Sequence, residues 1–166
     1  MERRNAWLSY NEADEKALEK LAKDYRTFLD NGKTERECVS ELSREAEAAG
    51  YVSLDKKLAS GEKIQTGDKI YAVGMKKIMA LFHIGEDPME KGMNILGAHI
   101  DSPRLDVKQN PLYEDTDLAY LDTHYYGGVK KYHWVALPLA IHGVIVKKDG
   151  TVVNVTVGED EDDPIV

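Results

Sequence analysis

The chain has 166 residues, of which 42% are hydrophobic and 31% are charged. This is the composition of a globular protein with one ordinary domain or two small lobes, and it excludes collagen and a disordered chain. The net charge of -8 gives an acidic surface that repels phosphate backbones and anionic lipid heads, so we expect no nucleic-acid partner and no membrane partner.

Two amphipathic helices are predicted at the start of the chain. Apolar residues recur at helical spacing after Asn11, which is a favourable N-cap residue, and the pattern stops at Gly32. A capping box that begins at Thr34 starts the second helix, which ends at Gly50. Helix pairs of this kind commonly cover a sheet.

Short apolar runs separated by turn residues follow the helices. They predict strands over residues 69–73, 78–84, 93–99 and 104–108. The run at 94–98 shows no alternation of apolar and polar residues, which is typical of a strand buried on both faces in the middle of a sheet. Together with the helices, these strands predict an α/β fold in which helices lie on a mixed sheet.

The last third of the chain has a different sequence pattern, rich in aromatic residues and in signals for β-structure. Six aromatic residues lie between residues 113 and 134 and predict a contact surface or a seam between lobes. Interface packing is the more common role for His124 and His133 there, and an approach of either to a metal site stays open. Further on, Asp149-Gly150 predicts a two-residue turn in a β-hairpin whose register places Val146 beside Val153. The same register places His142 on the apolar face of the hairpin, as a core histidine with a hydrogen-bond partner.

Cysteine content and the two ends of the chain bear on its location and completeness. The single cysteine, Cys38, cannot form an internal disulfide and is expected to be buried. There is no apolar signal segment and no apolar run near the roughly 20 residues that span a bilayer, so a cytoplasmic location is expected. The acidic run at 159–163 is expected to be a solvated loop tip, and residues 164–166 resemble the start of a strand that the chain leaves unfinished.

A histidine and an aspartate directly after the buried 94–98 run are the best candidates for chemistry. In an extended segment, His99 and Asp101 lie on the same face with Cα atoms about 6.6 Å apart. The carboxylate can then fix the tautomer of the imidazole, as it commonly does for metal-bound histidines. By spacing alone, a hydrogen-bonded structural histidine is the more common interpretation of such a pair, and both interpretations stay open.

The residues around this pair resemble a known motif. Residues 97–108, Gly-Ala-His-Ile-Asp-Ser-Pro-Arg-Leu-Asp-Val-Lys, resemble the first metal-ligand motif of the aspartyl aminopeptidase and aminopeptidase I family of dinuclear zinc exopeptidases. Tyr126-Gly-Gly128, followed by Trp134, resembles the family's segment leading into an inserted β domain. Residues 135–142 resemble the bacterial branch, and the likeness extends over nearly the whole chain.

The resemblance implies a function and a role for two residues. His99 would be a terminal ligand to one of two zinc ions, and Asp101 would be the carboxylate that orients it in catalysis. Zinc is the implied cofactor, with cobalt or manganese as other working metals. Peptides are the implied substrates, and self-association into a homo-oligomer is implied as well. The other ligands of the family are expected beyond residue 166, so the 166-residue chain is expected to bind zinc weakly and to hydrolyse nothing.

The predicted domain organisation follows from the change in sequence pattern along the chain and from the resemblance to the aminopeptidase I family. Residues 1–110 are predicted to be the amino-terminal part of a catalytic α/β domain, and residues 111–166 the first part of an inserted, β-rich oligomerisation domain. Two other functions are compatible with the sequence. One is a non-catalytic association module that pairs with full-length subunits, and the other is an unrelated small α/β ligand-binding domain in which His99 is structural.

Overall fold

The computed structural model describes residues 4–163. The chain divides into two compact units, each held together by its own internal contacts, and the division falls between Ala98 and His99. None of the helices within residues 4–163 combines the length and the apolar composition that a membrane span requires.

The first unit contains three helices and a small sheet. Its main elements are α1 (Glu12–Asn31), α2 (Glu35–Ala48), β1 (Val52–Ser53), α3 (Leu54–Ser60), β2 (Lys69–Gly74) and β3 (Ile78–His83), with short 3₁₀ turns at Ala6–Ser9 and Met89–Lys91. Strand β1 pairs parallel with β2, and β2 pairs antiparallel with β3. The mixed sheet and both predicted helices are confirmed.

Local capping explains where the two long helices begin. The Asn11 side chain accepts hydrogen bonds from the backbone N–H groups of Ala13 and Asp14. At α2, the Thr34 hydroxyl accepts from the Glu37 backbone, and the Glu37 carboxylate accepts from the Thr34 backbone at 2.8 Å. These bonds satisfy N–H groups that a helix start otherwise leaves unpaired.

Helix α2 and strand β2 form the core of the first unit. The buried apolar side chains of the described residues are Cys38, Val39, Ala46, Ile70 and Tyr71. The Tyr71 hydroxyl donates a hydrogen bond of 2.8 Å to the Glu47 carboxylate on α2. The Cys38 thiol donates to the Gly32 carbonyl at 3.3 Å, and burial is the main cause of its raised pKa. Cys38 is therefore buried, as predicted.

The second unit consists mainly of two β-hairpins. Its elements are β4 (Arg104–Asp115), β5 (Leu118–Tyr126), the short helix α4 (Lys131–Trp134), β6 (Ile141–Val146) and β7 (Val152–Val157). Strands β4 and β5 are antiparallel and join through Thr116 and Asp117, which both have positive φ as a type I′ turn requires. Strand β4 includes the predicted strand 104–108, whereas β5 was not predicted.

The predicted strand at 93–99 is wrong for this structure. Residues 92–103 form neither strand nor helix, and the Leu96 side chain is 100% exposed. An apolar run becomes a central strand only when strands pair with it on both sides. None of the strands within residues 4–163 pairs with this segment. The apolar run therefore does not form a strand, although its sequence pattern is typical of one.

The predicted register of the second hairpin is wrong by one residue. Val153 lies opposite Ile145, not Val146, because the turn contains three residues and not two. The Gly150 N–H donates to the Lys147 carbonyl, and Gly150 has a φ of +87°, which makes a turn followed by a bulge. The extra turn residue shifts every cross-strand pair by one residue. Residues of β7 that were predicted to share a face with Val144 and Val146 therefore lie on the opposite face of the hairpin.

The register change also moves His142. This residue lies opposite Thr156 and not on the apolar face. Its side chain is still only 12% exposed, and its Nε2 lies 2.8 Å from the Glu159 carboxylate. His142 is thus shielded and hydrogen-bonded, but by a polar neighbour outside the predicted apolar cluster.

Two expectations concern the chain's subdivision and its end. The predicted boundary at Asn110-Pro111 falls inside β4, away from the contact division before His99. The assignment of residues 1–110 and 111–166 to a catalytic and an inserted domain stays a prediction. The acidic tip is exposed over residues 159–162, and the strand start expected at 164–166 lies outside the described residues.

Candidate functional site

His99 and Asp101 lie together in the second unit, in the irregular segment just before β4. The His99 Nδ1 is 3.2 Å from the Asp101 Oδ1 and 3.0 Å from the Asp101 backbone oxygen. The His99 side chain is 85% exposed and the Asp101 side chain 42% exposed. The predicted contact between these two residues is therefore present.

This geometry selects one tautomer of the His99 imidazole. Both partners of Nδ1 are oxygen atoms that accept hydrogen bonds, so the ring proton resides on Nδ1. The lone pair of the neutral ring is then on Nε2, which makes no hydrogen bond within residues 4–163. An exposed imidazole with a free Nε2 and a fixed Nδ1–H is the form in which histidine binds a metal.

Tyr126 contacts the other oxygen of the Asp101 carboxylate. The Tyr126 hydroxyl donates to the Asp101 Oδ2 at 3.0 Å. This hydrogen bond is the main cause that lowers the pKa of Asp101 below its ordinary value, followed by a backbone N–H bond. The carboxylate is thus held in its ionised form, in which it can only accept hydrogen bonds.

Tyr126 is held in place by strand pairing and by an arginine side chain. Tyr126 is the last residue of β5 and lies opposite Arg104, the first residue of β4. The Arg104 guanidinium carbon is 4.1 Å from the centre of the Tyr126 ring, which is a cation–π contact. The Arg104 Nε also donates to the Asp106 carboxylate at 2.7 Å. The ring is thus held by a side chain that is itself fixed.

The sequence pointed to His99 and Asp101 but gave no role to Tyr126 or Arg104. In the sequence, Tyr126 belongs to the predicted aromatic contact surface and to the family-like Tyr-Gly-Gly segment. Its contact with Asp101 depends on a strand pairing that brings together residues 25 positions apart, and β5 was not predicted. The usable signal was the turn-forming Asp-Thr-Asp at 115–117 between two apolar and aromatic runs, which predicts a hairpin.

The donor set tests whether these residues fit zinc. His99 offers one imidazole nitrogen, which is a preferred zinc ligand. Across residues 4–163 there is no group of three or more histidine, cysteine, aspartate or glutamate residues that could hold a metal ion. Structural and catalytic zinc sites use at least three protein ligands. The described residues can therefore supply one ligand of such a site, His99, but not a complete set.

Two other histidines pack against aromatic rings. The His124 ring stacks on Tyr125 with centroids 4.9 Å apart. The His133 ring meets Tyr132 edge-on at 4.2 Å. Both histidines are exposed, so their role in packing at an interface stays a prediction.

Comparison with known proteins defines the class. Residues 28–166 match the family model described as aminopeptidase I zinc metalloprotease (M18). A curated protein of Clostridium acetobutylicum, named "Probable M18 family aminopeptidase 1", is 59% identical over 164 residues, which are 99% of this chain and 35% of that protein. The fold and the match thus point to a family of zinc metalloproteases, and the chain belongs to the M18 aminopeptidase family. The family resemblance is confirmed.

Solved structures agree with this assignment. The crystal structure of aminopeptidase I from Borrelia burgdorferi superimposes with a TM-score of 0.89 at 36% identity, covering 98% of this chain and 39% of that one. A Saccharomyces cerevisiae aminopeptidase, whose structure is described as a dodecamer, shares the fold with a TM-score of 0.71 at 21% identity, over 87% of this chain and 34% of its own. The chain spans about a third of the length of the curated relatives that it matches.

Proposed function

We propose that this chain is the amino-terminal part of a zinc aminopeptidase and that His99 supplies one terminal zinc ligand through Nε2. The single observation that carries this proposal is the Nδ1 contact with two oxygens of Asp101, which leaves Nε2 with the lone pair. Bound zinc would supply the Lewis acid that lowers the pKa of a water molecule and polarises a peptide carbonyl. Peptides with a free amino terminus are the proposed substrates.

The residues of this chain orient the ligand and do not carry out the hydrolysis. The ionised Asp101 carboxylate accepts a hydrogen bond from the Nδ1–H group and holds the plane of the ring. Its negative charge also makes the imidazole a better donor to a cation. Because residues 4–163 bring no three metal-binding side chains together, we propose that the chain by itself binds zinc weakly and does not hydrolyse peptides.

Metal binding by purified variants tests the role of His99. Wild-type chain, His99→Ala and the control His124→Ala are compared for zinc affinity by competition with a chromogenic chelator. We expect weak zinc binding by the wild type, its loss in His99→Ala, and no change in His124→Ala, because His124 packs on Tyr125. Equal zinc affinity of the wild type and His99→Ala would refute the assignment. The same titration with cobalt and manganese compares the other candidate metals.

Peptidase activity tests the expected inactivity of the chain. A panel of dipeptides is incubated with the chain and zinc, cobalt or manganese, and released amino acids are quantified. We expect no metal-dependent release above the buffer blank, with a complete M18 aminopeptidase as the positive control. Release that is abolished by a chelator and by His99→Ala would overturn the proposed inactivity.

A second candidate function is association with copies of the enzyme. It is favoured by the aromatic surface of the β4–β5 hairpin, where Tyr113 and Tyr120 stack with centroids 5.3 Å apart and are 51% and 37% exposed. Exposed tyrosines of this kind are enriched at interfaces. Light scattering of the chain, alone and mixed with a full-length relative, tests this function. A strictly monomeric chain with no affinity for the relative would exclude it.

The location and the assembly of the protein complete the proposal. The chain has a single, buried cysteine, which suits the reducing cytoplasm. The yeast relative described as a dodecamer supports self-association into a homo-oligomer. Both are properties to be measured on the complete protein.

A further inference from the structure

We infer that Tyr126 is a positioning residue for the metal-binding histidine and acts on it through Asp101. This inference rests on the proposed role of His99 as a zinc ligand. The structure connects the three side chains in series, from the Tyr126 hydroxyl to Asp101 Oδ2 at 3.0 Å and from Asp101 Oδ1 to His99 Nδ1 at 3.2 Å.

The Asp101 carboxylate needs a second partner to keep this orientation. The terminal torsion of an aspartate is broad, so the carboxylate rotates easily about its last bond. Asp101 is 42% exposed, and water can therefore compete for either oxygen. When the Tyr126 hydroxyl holds Oδ2, the planar group has one remaining orientation, and that orientation directs Oδ1 at the imidazole.

Tyr126 is itself rigid enough to serve as this anchor. Its backbone is paired with Arg104 at the end of the β4–β5 hairpin. Its ring lies under the Arg104 guanidinium at 4.1 Å, and Arg104 is tied to Asp106. A hydroxyl on a ring fixed in this way is ordered before it binds the carboxylate, so little further conformational entropy is lost.

Removal of the hydroxyl alone separates this role from packing. Tyr126→Phe keeps the ring, the strand pairing and the contact with Arg104, and removes the hydroxyl that donates to Asp101. Tyr125→Phe is the matched control, because Tyr125 is the preceding residue of β5 and its ring packs on His124. Its hydroxyl makes no hydrogen bond within the described part of the chain.

Two measurements on the 166-residue chain test the inference. Nitrogen NMR of the His99 ring reports the fraction of the Nδ1–H tautomer without metal, and a zinc titration followed through the same resonances gives the affinity. For Tyr126→Phe we expect a smaller Nδ1–H fraction and zinc binding weakened about tenfold, as is typical when an outer partner of a ligand is lost. Tyr125→Phe should match the wild type in both measurements.

A double-mutant cycle tests whether Tyr126 acts through Asp101. In an Asp101→Ala background there is no carboxylate to hold, so Tyr126→Phe should cause no further loss of zinc affinity. An equal loss in both backgrounds, equal losses in Tyr126→Phe and Tyr125→Phe, or a Tyr126→Phe chain indistinguishable from the wild type would each overturn the inference. If zinc never perturbs His99 in the wild type, the proposed function fails, and the tautomer comparison still decides the role of Tyr126.

Discussion

Among single residues, Lys57 and Asp68 form a well-shielded ion pair in the first unit. The Lys57 Nζ lies 2.7 Å from the Asp68 Oδ2, and their side chains are 13% and 25% exposed. The same oxygen accepts the backbone N–H of Gln65 at 2.8 Å. The hydrogen bond from Lys57 is the main cause that lowers the pKa of Asp68 below its ordinary 3.8. The pair therefore links α3 to the turn that precedes β2.

This pair predicts a pH dependence of stability. Because the pKa of Asp68 is lower in the folded state, its contribution to stability is complete above 3.8 and is lost as the pH falls below that value. Asp68→Asn should lower the urea midpoint at neutral pH, and the difference from the wild type should shrink in acid. Urea unfolding followed by circular dichroism at several pH values measures both effects.

Glu62 provides the control for this prediction. It also approaches Lys57, but at 4.0 Å and with a side chain that is 69% exposed. Exposed pairs of this kind contribute little, so Glu62→Gln should leave the urea midpoint almost unchanged at every pH. A difference between Asp68→Asn and the wild type that persists undiminished in acid would contradict the argument.

The candidate site shows how far residue-scale prediction reaches. The contact between His99 and Asp101 was predictable because an extended chain always places residues two apart on one face. The fixed tautomer also needs the Asp101 backbone oxygen, whose position depends on the conformation of the segment. The hydroxyl of Tyr126 comes from another strand, so no local pattern could place it.

Among the structural elements, the β6–β7 hairpin depends on one glycine. Gly150 has a φ of +87°, a conformation that side chains with a Cβ rarely adopt, although there is open space around it. Gly150→Ala should therefore destabilise the hairpin by about 1 kcal/mol through backbone strain alone. Urea unfolding and the cross-strand contacts seen by NMR measure the loss and show whether the register persists.

Gly143 is the matched control in the same hairpin. It lies in β6 without positive φ, and nothing lies within 4 Å of where its Cβ would be. Gly143→Ala should be neutral or slightly stabilising, because alanine restricts the unfolded chain. A Gly150→Ala variant as stable as Gly143→Ala would show that the turn does not require the left-handed conformation.

Elements differ in how well the sequence predicts them. The helices were predictable because their caps and apolar spacing are local, as Asn11 and Thr34 show. The hairpin register failed because a single bulge residue at Gly150 decides it. The strand expected at 93–99 failed because pairing partners, and not the apolar run alone, make a strand.

At the scale of the whole molecule, few of the described side chains are buried. Within residues 4–163, the five buried apolar side chains all belong to the first unit, and the largest fully buried one is Ile70, at 2% exposure. Many large apolar side chains elsewhere in the described residues are exposed, including Ile145 at 57%. The stability of the first unit should therefore depend strongly on a few positions.

Truncation of Ile70 tests this dependence. Ile70→Ala should cost about 3 kcal/mol, a large part of a typical stability of about 5–15 kcal/mol, whereas Ile70→Val should cost about 1 kcal/mol. Ile145→Ala, at an exposed position, should cost much less. Chemical denaturation of the three variants gives the free energies of unfolding, and equal losses at Ile70 and Ile145 would refute the assigned core.

The seclusion of Cys38 has a consequence for the kinetics of the first unit. It is the chain's single cysteine, it is 4% exposed, and its thiol is bound to the Gly32 carbonyl. Thiol reagents react with an accessible thiolate, so we expect alkylation of the buried Cys38 to require a local opening around α2. The rate of Cys38 alkylation therefore measures how often this unit opens locally, and no added label is needed to follow that motion.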